Sequence, residues 1–401
     1  MTVPTPAVPR TALLVDALSN NGAVQITIGL ARRWAPAGAR LGVLRQPTGA
    51  GLPTPGVDVV PLMPPGTPLH RGLPRVLTRL VRLSRGSQVV LVGSEIGPAL
   101  LLGFLGARLA RRHVVVAVHA DLGQALREWM PPRTHGLHRW VHGHVDGAIC
   151  VSPGLVEELV GNGLPAERIW VVRNGIDTAA IARAAATATD PAPADVPVVV
   201  ATGRLAAQKG HDLLLRAHAR LVADHPHRVR LLNDGPDLAG LQALAAELGV
   251  TGSVEFAGAV PPLPSVSRAD LFCLPSRHEG LPLALLEAVS LGVPVIAADC
   301  SQGVRDALDG GRVGALVPVE DVDALTEALR RHLTDPADLR ARAGHGPAHA
   351  RAFDVEVMTA GWAAALADVV SRPRRPLWAS RNGGVRAGVL SRLRRRTAPR
   401  R

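Results

Sequence analysis

The sequence contains a single lysine, Lys209, although 45 of its 401 residues are lysine or arginine. A compact ammonium kept at one position indicates a site that needs a point charge, because the planar guanidinium group of arginine is not an equivalent replacement. Lys209 lies in a glycine-containing loop, Gly203–Gly210, together with Arg204. The loop follows a β-branched apolar run, Val196–Gly203, which is typical of a buried strand, and it precedes a helix with leucines on one face. Two cations between a strand and a helix predict a phosphate site. The alternative is a surface lysine without a function.

A second segment combines a helix start suited to anions with two carboxylates. An apolar strand runs up to Pro275, and the loop Ser-Arg-His-Glu-Gly follows it. Pro282 suits the first helical position, where its missing N–H is not needed, and Gly292 ends the helix. The free amides and partial positive charge at this helix start predict a second contact with an anion.

Two glutamates accompany this helix, Glu279 before its start and Glu287 eight residues later inside it. Carboxylates are poor ligands for phosphate but good acceptors for sugar hydroxyls. Beside a bound diphosphate, the pair therefore predicts one contact with a ribose and one with a hexose. Taken alone, Glu279 is better explained as a charge at a helix start and Glu287 as a solvated residue.

The elements around these segments predict two α/β domains. Valine-rich strands alternate with helices in both halves of the chain, as in parallel sheets built from βαβ units. We predict two Rossmann-like doubly wound domains with a cleft between them, and such sheets bind ligands outside the carboxyl ends of their strands. The predicted parts are an N-terminal domain over residues 1–178, a linker over 179–197 whose start can be helical, a C-terminal domain over 198–351, a final helix over 352–371 and a disordered basic tail over 372–401.

Several motifs occur together in the order found in one enzyme family. Gly203-Arg204-Leu205 and Gln208-Lys209-Gly210 resemble its Gly-Arg-Leu…Lys-Gly phosphate loop, and Glu279 through Glu287 fits its Glu-x7-Glu motif. Further matching segments are Leu232–Pro236, with Asn233 where glycine is usual, Val293–Ala297, Asp309–Pro318 and Val172–Asp177. Together they resemble the retaining glycosyltransferases of family 4, which have the GT-B fold. The resemblance extends over nearly the whole chain and is most specific in its second half.

The resemblance implies a role for each of these residues. It implies that Arg204 and Lys209 hold the diphosphate of a nucleotide-sugar donor, with uridine diphosphate as the commoner nucleotide, and that Glu287 bonds the ribose hydroxyls. It also implies that Glu279 faces the sugar or the phosphates. The implied donor-binding residues are Arg204, Lys209, Asp234, Gly235, Leu281, Pro282, Leu283 and Glu287. The implied catalytic residues are Glu279, Arg204, Lys209 and His119. The implied reaction is hexosyl transfer with retention, in which the leaving phosphate takes the proton of the acceptor.

Two more positions are implied on the acceptor side. His119 ends a predicted strand of the first half, where the family often has a histidine near the sugar or the acceptor. The alternative is a histidine that caps the next turn. Asn21 and Gly22 stand where two glycines usually precede the first helix, and asparagine can adopt the left-handed turn.

No metal or other cofactor is expected. Fixed cations and a helix N-terminus can stabilise a leaving diphosphate without a metal ion. The Asp-x-Asp sequence of Asp321 and Asp323 stands where a helix begins and predicts a helix cap, with a metal site as the alternative. His135, His138 and His142 have helical spacing that suits a metal site. No carboxylate or cysteine accompanies them, so we interpret them as structural.

Charge and composition limit the partners. The net charge is +12, but the residues from 372 onward hold 11 arginines and no acid, which leaves the rest of the chain nearly neutral. Only 2% of the residues are aromatic, so rings on which nucleic-acid bases stack are scarce and nucleic acid is not expected as a partner. The tail is predicted either to contact an anionic membrane surface or to be solvated without a partner.

Cysteines and apolar segments bear on location. Three isolated cysteines favour a reducing cytoplasm, and the apolar run Ala12–Leu18 is too short for a signal peptide and lacks a cleavage pattern. The most apolar stretch, Ile96–Leu105, is shorter than the ~20 residues that span a bilayer. It predicts a buried helix, with a helix on the membrane surface as the alternative. We expect a cytoplasmic protein, peripheral to the inner membrane surface if the tail binds there.

Three function classes remain open from these patterns. The leading hypothesis is a sugar transferase. The second is a GT-B-fold epimerase that acts on a nucleotide sugar and needs no acceptor. The third is a non-catalytic nucleotide-sugar or nucleic-acid binder that uses the arginine-rich tail, and the nearly neutral remainder of the chain argues against it.

Overall fold

The computed structural model describes residues 7–19, 22–45, 52–64, 67–187 and 195–377. The chain divides into two compact units, one of Met1–Arg173 with Met358–Arg401 and one of Asn174–Val357. Each unit is built on one parallel sheet. Among the described residues, every helix is too short or too polar to cross a membrane.

The first unit holds a seven-stranded sheet. Its strands are β1 (Thr11–Val15), β2 (Arg40–Val43), β3 (Asp58–Pro61), β4 (Val89–Val92), β5 (His113–Val118), β6 (Gly147–Cys150) and β7 (Ile169–Val171). They pair in parallel in the order β3-β2-β1-β4-β5-β6-β7, so the direction of winding reverses between β1 and β4. Every residue of β1 and β4 is buried, as expected for strands covered on both faces.

Between residues 22 and 161, six helices cover this sheet. They are α1 (Gly22–Trp34), α2 (Leu69–Arg85), α3 (Pro98–Leu109), α4 (Leu122–Trp129), α5 (Pro132–His144) and α6 (Val156–Gly161). Residues of α2, α3, α5 and α6 share one apolar cluster with the strands. In α3, a Cβ on Gly103 would lie 2.7 Å from the side chain of Leu14. Glycine at this position therefore lets α3 pack close to the sheet.

The second unit holds a six-stranded sheet. Its strands are β8 (Val198–Thr202), β9 (Arg228–Leu232), β10 (Val254–Gly258), β11 (Leu271–Leu274), β12 (Val295–Ala298) and β13 (Ala315–Val317). The order is β10-β9-β8-β11-β12-β13, again fully parallel, with the reversal between β8 and β11. Ligands of such sheets bind outside the carboxyl ends of the strands at this reversal. The predicted phosphate loop follows β8, and the Glu279 loop follows β11.

The helices of the second unit complete the alternation. They are α7 (Thr178–Thr187), α8 (His211–Ala219), α9 (Leu238–Glu247), α10 (Pro262–Ser267), α11 (Leu283–Ser290), α12 (Gln302–Ala307), α13 (Val322–Thr334), α14 (Ala337–Ala343) and α15 (Gly346–Ala350), and α16 (Val355–Ser371) follows them. Two parallel, doubly wound sheets confirm the predicted architecture of each half. In the first half, β3 and α2 are weakly marked in the sequence, because β3 is a short edge strand ending in proline and α2 contains Pro74 among arginines.

The linker predicted over 179–197 begins with the helix that its sequence allowed. Residues 178–187 form α7, and Ile181 is buried in the core of the second unit. The alanines of this segment favour a helix, and tertiary contact stabilises it. The units divide after Arg173 rather than after residue 178, and α16 belongs to the first unit from Met358 onward.

The prediction of a disordered tail is wrong for its first residues. Arg375 is 7% exposed, and its N–H donates to the buried carboxylate of Asp146 at 2.6 Å. Arg372 pairs with Asp368 at 2.8 Å and stacks over the ring of Trp170. A run of arginines predicts a solvated segment when no acidic partner lies nearby in the sequence. Here the fold brings Asp146, which is distant in sequence, into contact with Arg375. Residues 378–401 lie outside the described ranges.

The predicted buried helix at Ile96–Leu105 is α3, and it is only partly buried. Its inner residues, such as Leu100 and Ala107, are fully covered, but Leu105 is 41% exposed and Leu109 is 56% exposed. The prediction is therefore wrong for the outward side of this helix.

Candidate active site

The loop after β8 places Lys209 at the carboxyl edge of the second sheet. Gly203 has a φ of +139° and Gly210 a φ of +64°, both in the region that favours glycine. A Cβ on Gly210 would lie 2.1 Å from the carbonyl oxygen of Pro275, which follows β11. Glycine therefore lets the loop after β8 touch the loop after β11, and the two predicted motifs meet there.

Lys209 and Glu279 form an ion pair across this contact. Nζ of Lys209 lies 2.7 Å from Oε1 of Glu279, and the two side chains are 21% and 7% exposed. The hydroxyl of Ser276 donates to the same oxygen at 2.7 Å. Two donors on one oxygen of a nearly buried carboxylate fix the ammonium close to the sheet. The sequence predicted both residues at the site but not their direct contact.

Arg277 fastens the same two loops. Its guanidinium forms a bidentate pair with Asp212 at 2.8 and 2.9 Å and donates to the carbonyl oxygen of Ala207 at 2.6 Å. It also pairs with Glu320. Hydrogen bonds from Arg277 to these carboxylates raise the pKa of the guanidinium above its usual value. Sequence reasoning missed Arg277, although it lies in the selected loop Ser276–Gly280.

Arg204 extends into solvent beside this loop. Within the described residues it has no ionic or hydrogen-bonding partner. Its neighbour Leu205 is buried and donates from its N–H to the carbonyl oxygen of Asp234 at 3.0 Å. A Cβ on Gly235 would lie 2.2 Å from the carbonyl oxygen of Leu205. Asp234 and Gly235 therefore support the Arg204 loop through the backbone.

The start of α11 lies next to Glu279 in the chain. The helix begins at Leu283, one residue later than the predicted start at Pro282, and Pro282 is extended with a φ of −74°. Leu281 is 5% exposed. Within the described part of the chain, no group accepts from the amides of Leu281 and Leu283. The helix therefore offers free N–H donors and a partial positive charge at this edge.

The turn before α11 packs against the start of α12. The hydroxyl of Ser301 donates to the carbonyl oxygen of Gly280 at 3.1 Å. A Cβ on Gly303 would lie 1.8 Å from the same oxygen, so only glycine fits there. Sequence reasoning missed both residues. An isolated glycine within a helical segment is the signal that could have found Gly303.

Glu287 is half-buried in α11 and lacks a partner. No described residue donates a hydrogen bond to its carboxylate, and burial raises its pKa to about 7. Buried carboxylates normally receive hydrogen bonds, so the unused acceptor capacity of Glu287 suits hydroxyl groups of a ligand.

His119 follows β5 in the first unit. Both ring nitrogens are buried and have no hydrogen-bond partner among the described residues, and burial lowers the pKa of the ring to about 4. The alternative that His119 caps the next turn is wrong, because Asp121 accepts from the N–H of Gln124 and caps α4. A neutral imidazole without a protein partner retains one donor and one acceptor for a ligand.

Two acids that the sequence analysis missed lie at the same edge of the first sheet. Asp16 follows β1, and Glu95 comes shortly after β4. Burial raises the pKa of Glu95 to about 7, and its carboxylate accepts from the N–H of His119 at 3.4 Å. Burial raises the pKa of Asp16 to about 6, although the N–H of Ala99 donates to it at 3.0 Å. Because β1, β4 and β5 are neighbours, the residues after their carboxyl ends converge.

The remaining candidates have different outcomes. Asn21 lies outside the described residues, and Gly22 is the exposed first residue of α1. The carboxylate of Asp321 accepts from the N–H of Ala324 at 2.8 Å, which confirms the predicted helix cap.

The three histidines with helical spacing bond to the backbone. The bonds join His135 to the carbonyl oxygen of Met130, His138 to that of Thr134 and His142 to that of Glu95, at 2.9, 2.8 and 2.7 Å. Among the described residues, no three histidine, cysteine or acidic side chains are grouped as metal ligands would be.

Family models match both halves of the chain. Residues 20–180 match Glycosyltransferase Family 4, and residues 185–346 match glycosyl transferases group 1. Over 286 residues the chain is 31% identical to a GDP-mannose-dependent alpha-(1-6)-phosphatidylinositol monomannoside mannosyltransferase of Mycolicibacterium smegmatis, and the match covers 66% of this chain and 72% of that protein. The chain belongs to the group 1 glycosyltransferases.

This glycosyltransferase is also similar to longer proteins. It is 29% identical over 295 residues to an exopolysaccharide phosphotransferase of Streptomyces coelicolor, a match that covers 72% of this chain but only 28% of that protein. Its fold is similar to that of HepE from Anabaena in complex with UDP-glucose, with a TM-score of 0.76 and 20% identity over 90% of this chain and 100% of that chain. This likeness confirms the predicted GT-B fold.

Proposed function

We propose that this glycosyltransferase moves a hexose-type sugar from a nucleoside diphosphate sugar to an acceptor hydroxyl, with retention of anomeric configuration and without a metal ion. The observation that carries the proposal is the grouping of polar side chains at the carboxyl edge of the second sheet. There the Lys209–Glu279 pair lies beside the open start of α11, and Glu287 has an unsatisfied carboxylate. Membership of the group 1 family supports glycosyl transfer as the reaction.

In the proposed complex, the donor diphosphate contacts the cations and the helix start. Lys209 is held at the sheet edge, and Arg204 is exposed beside it without a described partner. Cleavage of the sugar–phosphate bond leaves a nucleoside diphosphate with more negative charge than it had before. Cations and amides that are already in place stabilise this charge without reorganisation.

The two glutamates are proposed to bind the two sugars of the donor. Ser276 and Lys209 both contact Oε1 of Glu279, which leaves Oε2 for a hydroxyl of the transferred sugar. Glu287 would accept hydrogen bonds from the ribose hydroxyls, because no protein donor occupies its carboxylate.

Retention is proposed to follow from displacement on one face of the sugar. The bond from C1 to the phosphate oxygen breaks, the bond from C1 to the acceptor oxygen forms on the same face, and the acceptor proton passes to the leaving phosphate oxygen. His119 is proposed to contact the sugar or the acceptor, because its neutral ring has no protein partner. Asn21 and Gly22 are proposed to line the acceptor side.

Uridine diphosphate is the proposed nucleotide. The HepE structures contain UDP and UDP-glucose, whereas the mannosyltransferase relative is named for GDP-mannose. A panel of UDP-hexoses and GDP-mannose, each with a set of sugar acceptors, tests the proposal through release of nucleoside diphosphate. We expect release from a UDP-hexose and, by NMR, a product with the anomeric configuration of the donor. Conversion of a donor to its epimer without an acceptor would contradict transfer.

Activity is expected to persist in EDTA. The diphosphate charge is assigned to Lys209, Arg204 and the amides of α11, so no divalent cation is required. Turnover in buffer with EDTA should stay within about twofold of turnover with magnesium. Loss of activity on chelation that manganese or magnesium restores would overturn the metal-independent mechanism.

Donor affinity is expected to rise as the pH rises through 7. Burial raises the pKa of Glu287 to about 7, and the ribose hydroxyls bind best to its ionised form. Binding therefore requires loss of a proton below this pH, and the dissociation constant of UDP-glucose should fall about tenfold from pH 6 to pH 8. The diphosphate of this donor is esterified at both ends and does not titrate in that range.

Glu287→Gln is the matched variant for this experiment. The amide keeps the size of the side chain and removes its titration. We expect weaker donor binding at pH 8 and a flat profile between pH 6 and 8, measured by calorimetric titration. A variant that retains the slope of the wild type would show that another group titrates.

A further inference from the structure

The outward side of α3 is apolar, which is unusual for a helix that covers a sheet. The helix contains one polar residue, Arg108. Leu101 and Leu102 are half-buried, and Leu105 and Leu109 are 41% and 56% exposed. These leucines fall at helical spacing on one stripe. A helix of this kind normally carries polar residues on the side that faces water.

The helices on either side of α3 are basic and contain no acid. The sequence of α2 includes five arginines and that of α5 two, and no aspartate or glutamate occurs in α2, α3 or α5. On α2, Arg71, Arg75 and Arg82 are exposed. Exposed acids occur on the neighbouring helices instead, with Asp121 and Glu128 at the two ends of α4 and Glu157 on α6.

Contacts between the three helices make their outer sides one surface. A Cβ on Gly106 of α3 would lie 3.1 Å from Cβ of Leu80 of α2, so the two helices are closely packed. The ring of Trp140 of α5 meets Phe104 of α3 edge-on, with 5.6 Å between ring centroids, and the guanidinium of Arg108 lies 5.1 Å from the centre of the Phe104 ring. We name this surface the leucine–arginine face. Its exposed apolar residues are Leu73, Leu105, Leu109, Leu137 and Trp140.

The last described residues lead the chain to this face. Arg108 donates from Nη1 to the carbonyl oxygen of Arg375 at 2.9 Å, and Arg168 donates to that of Pro373 at 3.0 Å. Leu377 is 50% exposed. The sequence that follows, residues 378–401, has eight arginines and no acid. The described chain therefore ends near the last turn of α3.

We propose that the leucine–arginine face docks on an anionic phospholipid bilayer. Leucine and tryptophan side chains would enter the boundary between headgroups and acyl chains, and the arginines would pair with lipid phosphates. The long arginine side chains can extend along the apolar surface while their charge stays at the headgroups. The proposal does not depend on which sugar the enzyme transfers.

The mixture of residues favours a bilayer over a nucleic acid. Nucleic acids attract arginines through phosphate but gain nothing from exposed leucines, which lie here between the charges. A bilayer surface binds both kinds of side chain at once. Attraction to anionic lipid also weakens with salt, which gives the proposal a second signature.

Sedimentation with vesicles tests the proposal on the full-length protein. At low salt we expect the wild type to sediment with vesicles of phosphatidylglycerol and phosphatidylcholine, and to sediment at least tenfold less with phosphatidylcholine alone or at high salt. Leu105→Glu with Leu109→Glu should weaken binding to the anionic vesicles at least tenfold. Both side chains are exposed, so thermal unfolding should match the wild type.

Val260→Glu with Val357→Glu is the matched control. These valines are 40% and 57% exposed in the second unit, and the variant makes the same change in charge. It should sediment within about twofold of the wild type. If both double variants lost vesicle binding equally, the change in net charge alone would explain the loss, and the proposal would be overturned.

A chain that ends at Leu377 separates the face from the arginine-rich residues after it. We expect this truncated protein to bind anionic vesicles a few-fold more weakly and still to lose binding on Leu105→Glu with Leu109→Glu. No binding by the truncated protein, or wild-type protein that stays in the supernatant at low salt, would overturn the assignment. Binding to duplex DNA without binding to vesicles would identify a nucleic-acid surface instead.

Discussion

Replacement of Lys209 by alanine should lower turnover by about 10²-fold or more while the protein stays folded. The ammonium is held at the edge of the second sheet, where the proposed diphosphate gains charge as it leaves, and loss of one such donor typically has an effect of this size. Lys209→Arg should also be impaired. The lysine side chain packs over Gly203, and its ammonium bonds to Glu279 at 2.7 Å, a contact that the longer, planar guanidinium group cannot reproduce from the same backbone position.

Release of nucleoside diphosphate under saturating donor measures this effect, and thermal unfolding checks the fold. Arg216→Ala is the control, since Arg216 is an exposed arginine on the neighbouring helix α8. It removes one positive charge outside the proposed site and should leave turnover within about twofold. Wild-type turnover in Lys209→Ala would contradict the assignment of Lys209 to the donor diphosphate.

Replacement of Gly303 by alanine should have the second large effect. The new Cβ would lie 1.8 Å from the carbonyl oxygen of Gly280, and a backbone atom cannot move aside as a flexible side chain can. The turn that carries Glu279 into α11 must therefore shift. We expect donor kcat/KM to fall about 10²-fold, because small displacements at a reacting centre have effects of this order. Stability should fall by about 1–3 kcal/mol, as for other overpacked sites.

Gly240→Ala is the matched control for this variant. Gly240 also lies within a helix, α9, and a Cβ there would have no atom within 4 Å. Alanine is favoured over glycine in a helix by roughly 0.5–1 kcal/mol, so the control should be slightly stabilised and fully active. Denaturant unfolding and donor titration on both variants separate the two outcomes. Equal behaviour of the two variants would show that the turn tolerates a side chain.

The parts of the site that follow from local sequence were predictable. Buried parallel strands leave a clear apolar pattern, and the loops after β8 and β11 carry Lys209 and Glu279 directly after that pattern ends. Asn233 stands where the resembled family usually has glycine, and the structure gives the reason for glycine, since its φ is +97°. Asparagine is one of the few other residues that adopt such a conformation.

The parts that depend on distant contacts were not predictable from pattern. Lys209 and Glu279 are 70 residues apart, and their pairing depends on Gly210 letting one loop approach the other. Asp16 and Glu95 became candidates only when the sheet order placed β1, β4 and β5 side by side.

The prediction of a disordered tail was wrong for its first residues for the same reason. A run of arginine and proline indicates a solvated segment when only its own sequence is considered. The partner of Arg375 is Asp146, which is 229 residues earlier in the chain and fully buried. Burial of that carboxylate requires donors, and the tail supplies one of them.

The single lysine allows the proposed phosphate site to be labelled selectively in the wild-type protein. An amine-selective acylating reagent has one side-chain target in the whole sequence, Lys209, besides the amino terminus. The Lys209 side chain is 21% exposed and its ammonium is bound to Glu279, so acylation requires the pair to open. A bound diphosphate would shield the same nitrogen. The extent of acylation of the peptide that contains Lys209 can be measured by mass spectrometry with and without a donor. A decrease with donor would report occupancy of the phosphate site in the wild-type protein.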